Sequence, residues 1–376
     1  MNGSGTEHPA GEGHRRHVPA LDGVRGIAIL LVVLYHAGVA RHGWVGVDLF
    51  FVLSGFLITG VLVRAKGYPG YYRNFFARRA LRIVPACYVF AAIVMLVIPP
   101  LRGDAPATGQ LPVWAFLTNI PIARAGWGAV PNGVQHLWSV AVEEQFYLVW
   151  PVFVLACSIR RLRQVCVAGI AGALLFRVAL HLSGGAPLAS YVLVPARMDA
   201  LLLGGWLALA PVGAVRRAPR ANIVAGALAA LVTAAILHGR DPHSALVETI
   251  GYTMIAVTAA ALVAAASADG AVARILSWRP LRLGGKYSYA AYLGHAEVIN
   301  NLELHTSLRG WPLAIAAIAV TFALAALSWR ILEAPVLRLK RYFPEPAAAN
   351  GDHRAARAPV EGGATITPSE GLAGYR

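Results

Sequence analysis

Residues 21–40 read LDGVRGIAILLVVLYHAGVA, an apolar run whose only acidic, basic or imidazole side chains are Asp22, Arg25 and His36. An α-helix of about 20 residues crosses the ~30 Å hydrocarbon core of a bilayer. No small-residue cleavage site follows the run, so we expect it to remain in the membrane instead of being removed as a signal peptide. The stretch therefore predicts a transmembrane helix that carries a guanidinium and an imidazole.

The rest of the chain repeats this apolar pattern. Its 376 residues are 57% hydrophobic and 14% charged, which is too apolar for a water-soluble domain of this length. We predict an all-α fold, a polytopic transmembrane bundle of about ten helices over residues 19–343, with disordered tails at 1–18 and 344–376. A shorter apolar stretch at 111–123 is expected to be interfacial or re-entrant. The further predicted spans are 44–64, 83–101, 136–157, 165–182, 195–211, 221–238, 246–266, 286–304 and 311–332.

The net charge of +15 is concentrated in alternate connections between these spans. By the positive-inside rule the basic connections face the cytoplasm, so we expect a multi-pass plasma-membrane protein with both termini in the cytoplasm. The chain has no basic helix or RNA-type motif, so the lipid bilayer and not a nucleic acid is the expected partner. The basic connections are residues 64–82, 160–163, 216–220, 274–282 and 338–341.

Two ionisable residues of the first span lie on nearly one helix face. Arg25 and His36 are eleven residues apart, about 16 Å along an α-helix. A phosphate-bearing donor could bind at Arg25 while its reactive end reaches His36. The alternative is an arginine that extends to the membrane surface and a histidine hydrogen-bonded in the core.

The second span begins with an acidic residue at a depth similar to that of His36. Asp48 could orient the imidazole of His36 and stabilise its protonated form, as a general base requires. Its alternative role is a helix cap at the membrane boundary. Ser54, further along the same span, is a candidate substrate-binding residue.

The segment His136–Tyr147 contains polar groups that lipid cannot accommodate. Ser139, Glu143 and Tyr147 share one helix face at a spacing of four, with His136 one turn above. Glu143 is preferred over Glu144 as the group facing a polar cavity, where it could also orient His36. The alternative is the solvated start of an interfacial helix.

Other candidate residues bind or position substrate. Arg79 and Arg82, at i and i+3, suit a polyphosphate, although topology alone also explains them. Tyr292 and His295 could donate hydrogen bonds in a late span or belong to an aromatic belt. For Arg197 and Asp199 a structural ion pair is favoured over catalysis.

Common catalytic signatures are missing from the sequence. It has no phosphate-binding glycine loop, no Gly-x-Ser-x-Gly elbow and no His-Glu-x-x-His zinc motif. Cys87, Cys157 and Cys166 lack the paired spacing of metal ligands, so we expect neither a metal nor a disulfide. Direct transfer is therefore the simplest mechanism, with Trp138, Ser139 or Tyr147 as candidate donors to an oxyanion.

The ordered set of motifs resembles the membrane acyltransferase-3 family over about residues 18–340. One departure is Leu283-Gly284-Gly285, which is one residue longer than the family pattern and leaves the helix register before Tyr287 open. The motifs that carry the resemblance are Leu21–Gly26 with His36 eleven residues after Arg25, Gly46–Phe56, Arg79-x-x-Arg82 with Pro85, His136–Tyr147, Arg197–Leu201, Gly285–Tyr289 with Tyr292 and His295, and Trp329 with Glu333 and Pro335.

The resemblance implies a ten-helix core that takes an acyl group from cytoplasmic acyl-coenzyme A, with Arg25 and His36 essential and Arg79 and Arg82 near the donor. We therefore expect an integral membrane O-acyltransferase that uses acetyl-coenzyme A or another short-chain donor. The first expected acceptor is a hydroxyl of a natural product such as a macrolide or its sugar. The alternatives are O-acetylation of an envelope polysaccharide or glycolipid and, from a different class, a transporter or flippase. Sequence alone identifies neither the acyl chain nor the oligomeric state.

Overall fold

The structure is a computed structural model that describes residues 18–105, 107–186, 188–210 and 219–344. These residues form helices and connections and contain no β-strand, which confirms the predicted all-α bundle. The ten long helices are α1 Pro19–His36, α2 Gly46–Ala65, α3 Tyr71–Ala92, α4 Trp138–Ala156, α5 Ile159–Leu182, α6 Val194–Ala208, α7 Pro219–Leu237, α8 Tyr252–Ser267, α9 Arg279–His305 and α10 Gly310–Ser328. The π-helical turns are Ile93–Val97, Val247–Gly251 and Trp329–Glu333.

Short helices complete the described part of the chain. The stretch predicted to be interfacial or re-entrant consists of two of them, Leu111–Trp114 and Asn119–Ala125. The other α-helices are Ile98–Leu101, Ala189–Val192, Ala271–Leu276 and Ala334–Leu337. The 3₁₀ turns are Gly43–Val45, Trp127–Ala129, Gln135–Leu137 and Arg338–Tyr342.

Eight helical segments of the described residues are long and apolar enough to cross a membrane. The two other long helices are α7, whose apolar part is the shorter segment Val224–Leu237, and α9, which carries more polar side chains. Large apolar side chains project outward from the bundle, among them Leu175, Leu228 and Leu324, each more than half exposed. A surface of this kind is stable in lipid and not in water.

Three helices begin earlier than hydropathy predicts. α3 begins at Tyr71 instead of residue 83, α5 at Ile159 instead of 165, and α9 at Arg279 instead of 286. In each case the added turns are rich in arginine, which lowers the local hydropathy without disfavouring a helix. Because α1 and α3 both begin at one end of the bundle, Arg25, Arg79 and the basic first turns lie there, and we call it the Arg end. We call the opposite end, where α1 finishes at His36, the His end.

Two helix pairs pack backbone against backbone through glycine. A Cβ atom on Gly285 of α9 would lie 1.9 Å from the carbonyl oxygen of Asp22, and one on Gly26 would lie 2.2 Å from that of Leu281. Likewise, a Cβ on Gly204 of α6 would meet the carbonyl oxygen of Val52 in α2 at 1.9 Å. Small residues permit such close approach in membrane bundles. α9 is continuous across Gly285. The contact of Gly285 with Asp22 therefore defines the helix register before Tyr287, which the sequence left open.

The predicted terminal tails lie almost wholly outside the described residues, which begin at Val18 and end at Pro344. Part of the predicted basic connection at 216–220 also lies outside them. Each predicted span overlaps one of the ten long helices. The sites that follow lie within the described ranges.

Candidate active site

Two cavities lie one above the other between α1, α2, α4 and α9. The Arg-end cavity has a volume of about 120 Å³ and is lined by Arg25, Arg79 and Arg82, together with side chains from α4 and α9. The His-end cavity, of about 360 Å³, is lined by His36 and His136. Val47 and Tyr292 line both, so the two cavities adjoin at these residues.

The three guanidinium groups predicted to bind a donor line the same cavity. Arg25 Nη1 lies 3.1 Å from Asp22 Oδ1, and Arg82 Nη1 lies 3.2 Å from Glu333 Oε2. The guanidinium of Arg79 lies 5.2 Å from the ring centroid of Tyr147. Three cations converging on one cavity provide the donors that phosphate oxygens require.

The carboxylate of Glu143 also faces the Arg-end cavity. Ser54 Oγ donates to Glu143 Oε1 at 2.7 Å, and Tyr147 OH donates to Ser54 Oγ at 2.8 Å. Glu144 does not line either cavity, and its Oε1 has no hydrogen-bond partner among the described residues. The preference for Glu143 over Glu144 therefore agrees with the structure. Glu143 and Tyr147 are four residues apart on α4, so both side chains reach the hydroxyl of Ser54 in α2.

Three imidazoles form a cluster at the His end. The ring centroid of His295 lies 4.8 Å from that of His36 and 5.0 Å from that of His136. Sequence placed these residues in three separate spans, with no indication that they touch. His295 is fully buried, and its Nε2 has no partner among the described residues.

Backbone carbonyls orient each of these imidazoles. His36 Nδ1 donates to the carbonyl oxygen of Val32 at 2.9 Å, His136 Nε2 to that of Leu293 at 3.0 Å, and His295 Nδ1 to that of Tyr292 at 2.6 Å. A carbonyl oxygen only accepts, so the nitrogen bonded to it carries the proton. In neutral His36, Nε2 is therefore left as the basic atom.

Neither carboxylate expected to orient His36 does so in the structure. Asp48 Oδ1 accepts from Arg197 Nη2 at 2.7 Å, and both side chains are 1% exposed. Glu143 is bonded to Ser54, as described above. A buried guanidinium without a counter-charge is strongly destabilising, which explains why Arg197 holds Asp48. The expectation that Asp48 assists His36 is corrected accordingly.

A second ion pair lies beside the first. Arg177 Nη1 is 3.0 Å from Asp199 Oδ2, and both are buried. Thr253 Oγ1 also donates to Asp199 Oδ2, at 2.7 Å. Arg197 and Asp199 thus make ion pairs across helices, as favoured from the sequence, and these pairs join α2 and α5 to α6.

A pair of hydroxyl groups marks the junction of the two cavities. Ser139 Oγ and Tyr292 OH are 2.5 Å apart, and Tyr292 OH also donates to the carbonyl oxygen of His136 at 3.1 Å. Tyr147, the other predicted hydroxyl donor, lies in the Arg-end cavity. Trp138 lies in the His-end cavity and packs on Tyr191 at a centroid distance of 4.8 Å. Tyr292 therefore lines both cavities, and Ser139 of the Arg-end cavity is hydrogen-bonded to it.

Several residues of the site were named from the sequence only as parts of family motifs, without a role. Glu333 ends the π-helical turn after α10 and pairs with Arg82. The rings of Tyr289 and Trp329 lie 5.6 and 5.7 Å from the same guanidinium. An acidic residue in an apolar span was the available signal for Glu333. Tyr289 and Trp329 belong to motifs of the family resemblance, but the sequence did not indicate that they pack on Arg82. Among the described residues, no group of three or more His, Cys, Asp or Glu side chains could hold a metal ion.

Comparison with known proteins identifies related sequences. The acyltransferase-3 family, described as an acyltransferase domain, matches residues 18–330. YrhL of Bacillus subtilis (strain 168) is 32% identical over 86% of this chain and 55% of its own length. Peptidoglycan O-acetyltransferase OatA of Listeria monocytogenes serovar 1/2a is 32% identical over 86% of this chain and 56% of its own.

A more distant relative is O-acetyltransferase OatA of Staphylococcus aureus (strain NCTC 8325 / PS 47), which is 27% identical over 85% of this chain and 57% of its own. This chain thus spans a little over half the length of these relatives. No solved structure matches it.

Proposed function

The chain belongs to the acyltransferase-3 family, and from this premise we propose that it transfers an acetyl group from acetyl-coenzyme A to a hydroxyl of an envelope glycan such as peptidoglycan. Membership makes it a membrane acyltransferase and not a transporter. The names of the relatives favour a glycan over the natural-product acceptor that we expected first. Because the chain covers only part of these relatives, the donor, the acceptor and the membrane faces belong to the proposal.

One observation carries the proposal: a cavity with three guanidinium groups adjoins a cavity with an imidazole cluster, and Tyr292 lines both. The phosphates of the donor bind at Arg25, Arg79 and Arg82, at the end that the positive-inside rule assigns to the cytoplasm. The thioester extends toward Ser139 and Tyr292. The acceptor enters the His-end cavity from the other side of the membrane.

The transfer requires one base and one proton donor. His36 Nε2 removes the proton of the acceptor hydroxyl while its oxygen attacks the thioester carbonyl. The resulting oxyanion accepts a hydrogen bond from the Ser139–Tyr292 pair. Collapse of this intermediate breaks the carbon–sulfur bond, and the proton passes from the imidazolium of His36 to the leaving thiolate. The products are an ester on the glycan and free coenzyme A.

The test is acetyl transfer by the purified protein in lipid nanodiscs. Acetyl-coenzyme A and soluble peptidoglycan fragments are supplied, and acetylated fragments are detected by mass spectrometry together with the released thiol. Arg79→Ala should raise the KM for the donor about tenfold to a hundredfold, because it removes a charge-assisted hydrogen bond. Arg73→Ala is the matched control, since this exposed arginine lines neither cavity.

Two results would contradict the proposal. Thiol release without any acetylated glycan would exclude the acceptor class. Equal donor KM values for Arg79→Ala and the wild-type protein would exclude the donor site at the Arg end.

A further inference from the structure

A third cavity, of about 790 Å³, opens at the His end. It lies between the segment that follows α3, the loop that precedes α4 and the last turns of α9. Gly133, Gln135 and Asn300 line this cavity as well as the His-end cavity. We call it the outer groove, and it adjoins the cavity lined by His36.

Closely packed groups form the boundary between the outer groove and the His-end cavity. Gly133 has φ +82°, and a Cβ atom there would lie 2.8 Å from both Glu297 Oε2 and Val94 Cγ1. Gln135 Nε2 donates to the carbonyl oxygen of Trp127 at 2.8 Å. Only glycine combines this backbone conformation with such close neighbours. This part of the boundary is therefore fixed by the fold.

The wall of the groove is polar and its charges are largely balanced. Arg102 Nη2 lies 2.7 Å from Glu297 Oε1 and 2.9 Å from Asn301 Oδ1. Thr108 and Asn132 line the groove further out, and Asp104 adds a carboxylate. Such a wall offers donors and acceptors to a ligand rich in hydroxyl groups. A polyphosphate would instead require a surplus of cations, as at the Arg end.

Aromatic rings line the His-end cavity. Tyr191 packs on Trp138, Trp44 and Trp127, with ring centroids 4.8, 6.2 and 6.2 Å apart. A sugar ring presents apolar C–H faces and a hydroxyl edge, which suit aromatic walls beside the imidazoles. The cavity volume of about 360 Å³ is near the lower limit for a ligand pocket and accommodates a single sugar far better than a chain.

We propose that the outer groove binds the sugars that flank the acylated unit of a polymeric glycan, while that unit alone enters the His-end cavity. This inference rests on the proposed function and specifies its acceptor as a chain. A compact acceptor would occupy the His-end cavity and leave the groove empty. Binding of flanking sugars lowers the KM for long acceptors without changing the chemistry at His36.

Acceptor length provides the test. Acetylation of soluble peptidoglycan fragments of two, four and six sugars is measured with acetyl-coenzyme A in nanodiscs. In the wild-type protein the KM should fall with length, by about threefold to tenfold between two and six sugars. Asn132→Ala and Thr108→Ala should each raise the KM for six sugars by about threefold and leave that for two sugars unchanged.

The controls distinguish weaker binding of flanking sugars in the groove from a change in the transfer reaction. Asn74→Ala, at the Arg end, should keep the full dependence on length, and thermal unfolding checks that each groove variant is folded. Equal KM values for two and six sugars in the wild-type protein would overturn the inference while leaving the proposed function intact. A groove variant that weakened both acceptors equally would also overturn it. Failure of the proposed function is distinct, because the wild-type protein would then acetylate no fragment of any length.

Discussion

One hydrogen bond determines which ring nitrogen of neutral His36 carries the proton. Its Nδ1 donates to the carbonyl oxygen of Val32, one turn earlier in α1, which leaves Nε2 free to accept a proton. Many catalytic histidines are oriented by a carboxylate, and the sequence suggested Asp48 or Glu143 for this role. A backbone carbonyl orients the ring without placing a second ionised group in the membrane.

Two substitutions at His36 separate its basicity from its hydrogen bond. His36→Asn can still donate to the carbonyl of Val32 but has no basic nitrogen, whereas His36→Ala lacks both. If His36 is the general base, both variants should lose about 10²- to 10⁴-fold in the rate of acetyl transfer while donor affinity changes little. His305→Ala, at the exposed end of α9, serves as the control. Transfer by His36→Asn at the wild-type rate would exclude the base assignment.

At the scale of the elements, the site depends on how closely α1 and α9 approach. α1 carries Arg25 and His36, and α9 carries Tyr292 and His295. Gly26 and Gly285 allow the two backbones to touch. The ring distance of 4.8 Å between His36 and His295 is a consequence of this packing.

Two glycines of α9 differ in what surrounds them. Gly285→Ala would place a methyl group 1.9 Å from the carbonyl oxygen of Asp22, so we expect about 1–3 kcal/mol of destabilisation and reduced transfer. Gly294→Ala has no atom within 4 Å of its new methyl and should be neutral or slightly stabilising. Thermal unfolding in detergent compares the two variants. Equal melting temperatures would refute the close contact.

The buried ion pairs join helices of the bundle, and we propose that their role is structural. Asp48 of α2 pairs with Arg197 of α6, and Arg177 of α5 pairs with Asp199 of α6. Each pair fixes the position of one helix against another. Their energetic importance lies mainly in the penalty for removing a single partner.

A double substitution tests this structural role. Asp48→Leu alone leaves Arg197 buried and unpaired, which should cost about 3–5 kcal/mol of stability. Adding Arg197→Met should restore most of that loss, because an apolar pair can replace a buried ion pair. Acetyl transfer should recover together with the melting temperature. A stable but inactive double variant would show that Asp48 takes part in the reaction.

At the scale of the whole molecule, the two ends of the bundle differ in chemistry. Three guanidinium groups line the cavity at the Arg end, whereas the imidazole cluster and the outer groove lie at the His end. A donor with phosphates and an acceptor rich in hydroxyl groups would therefore approach from opposite sides. The transferred group alone needs to cross the junction at Tyr292.

Labelling of single cysteines tests which end faces the cytoplasm. In a Cys157→Ser background, Cys87 and Cys166 remain buried. Thr306→Cys at the His end should react with a membrane-impermeant maleimide in intact cells. Arg161→Cys at the Arg end should react only after permeabilisation, because basic connections remain inside. The reverse pattern would contradict the assigned orientation.

The fold class, the approximate spans and the residues that required a polar environment all followed from the order of amino acids along the chain. Hydropathy sums over neighbouring residues, so spans are visible without knowledge of the tertiary structure. Because hydropathy is a local average, the arginines in the first turns of α3 lower it. The predicted span therefore begins at residue 83, although the helix begins at Tyr71. The sequence also identified Arg25, His36, Arg79, Arg82 and Glu143 as candidate site residues.

Which of these groups meet depends on how the helices pack. Asp48 and Arg197 are 149 residues apart in sequence, and Arg82 and Glu333 are 251 apart. Over such separations the partner of a buried charge depends on helix packing and not on local spacing. That is why Asp48 was assigned to His36 from the sequence, although it pairs with Arg197. The imidazole cluster and the groove beside it arise in the same way, from helices that glycine allows to come into contact.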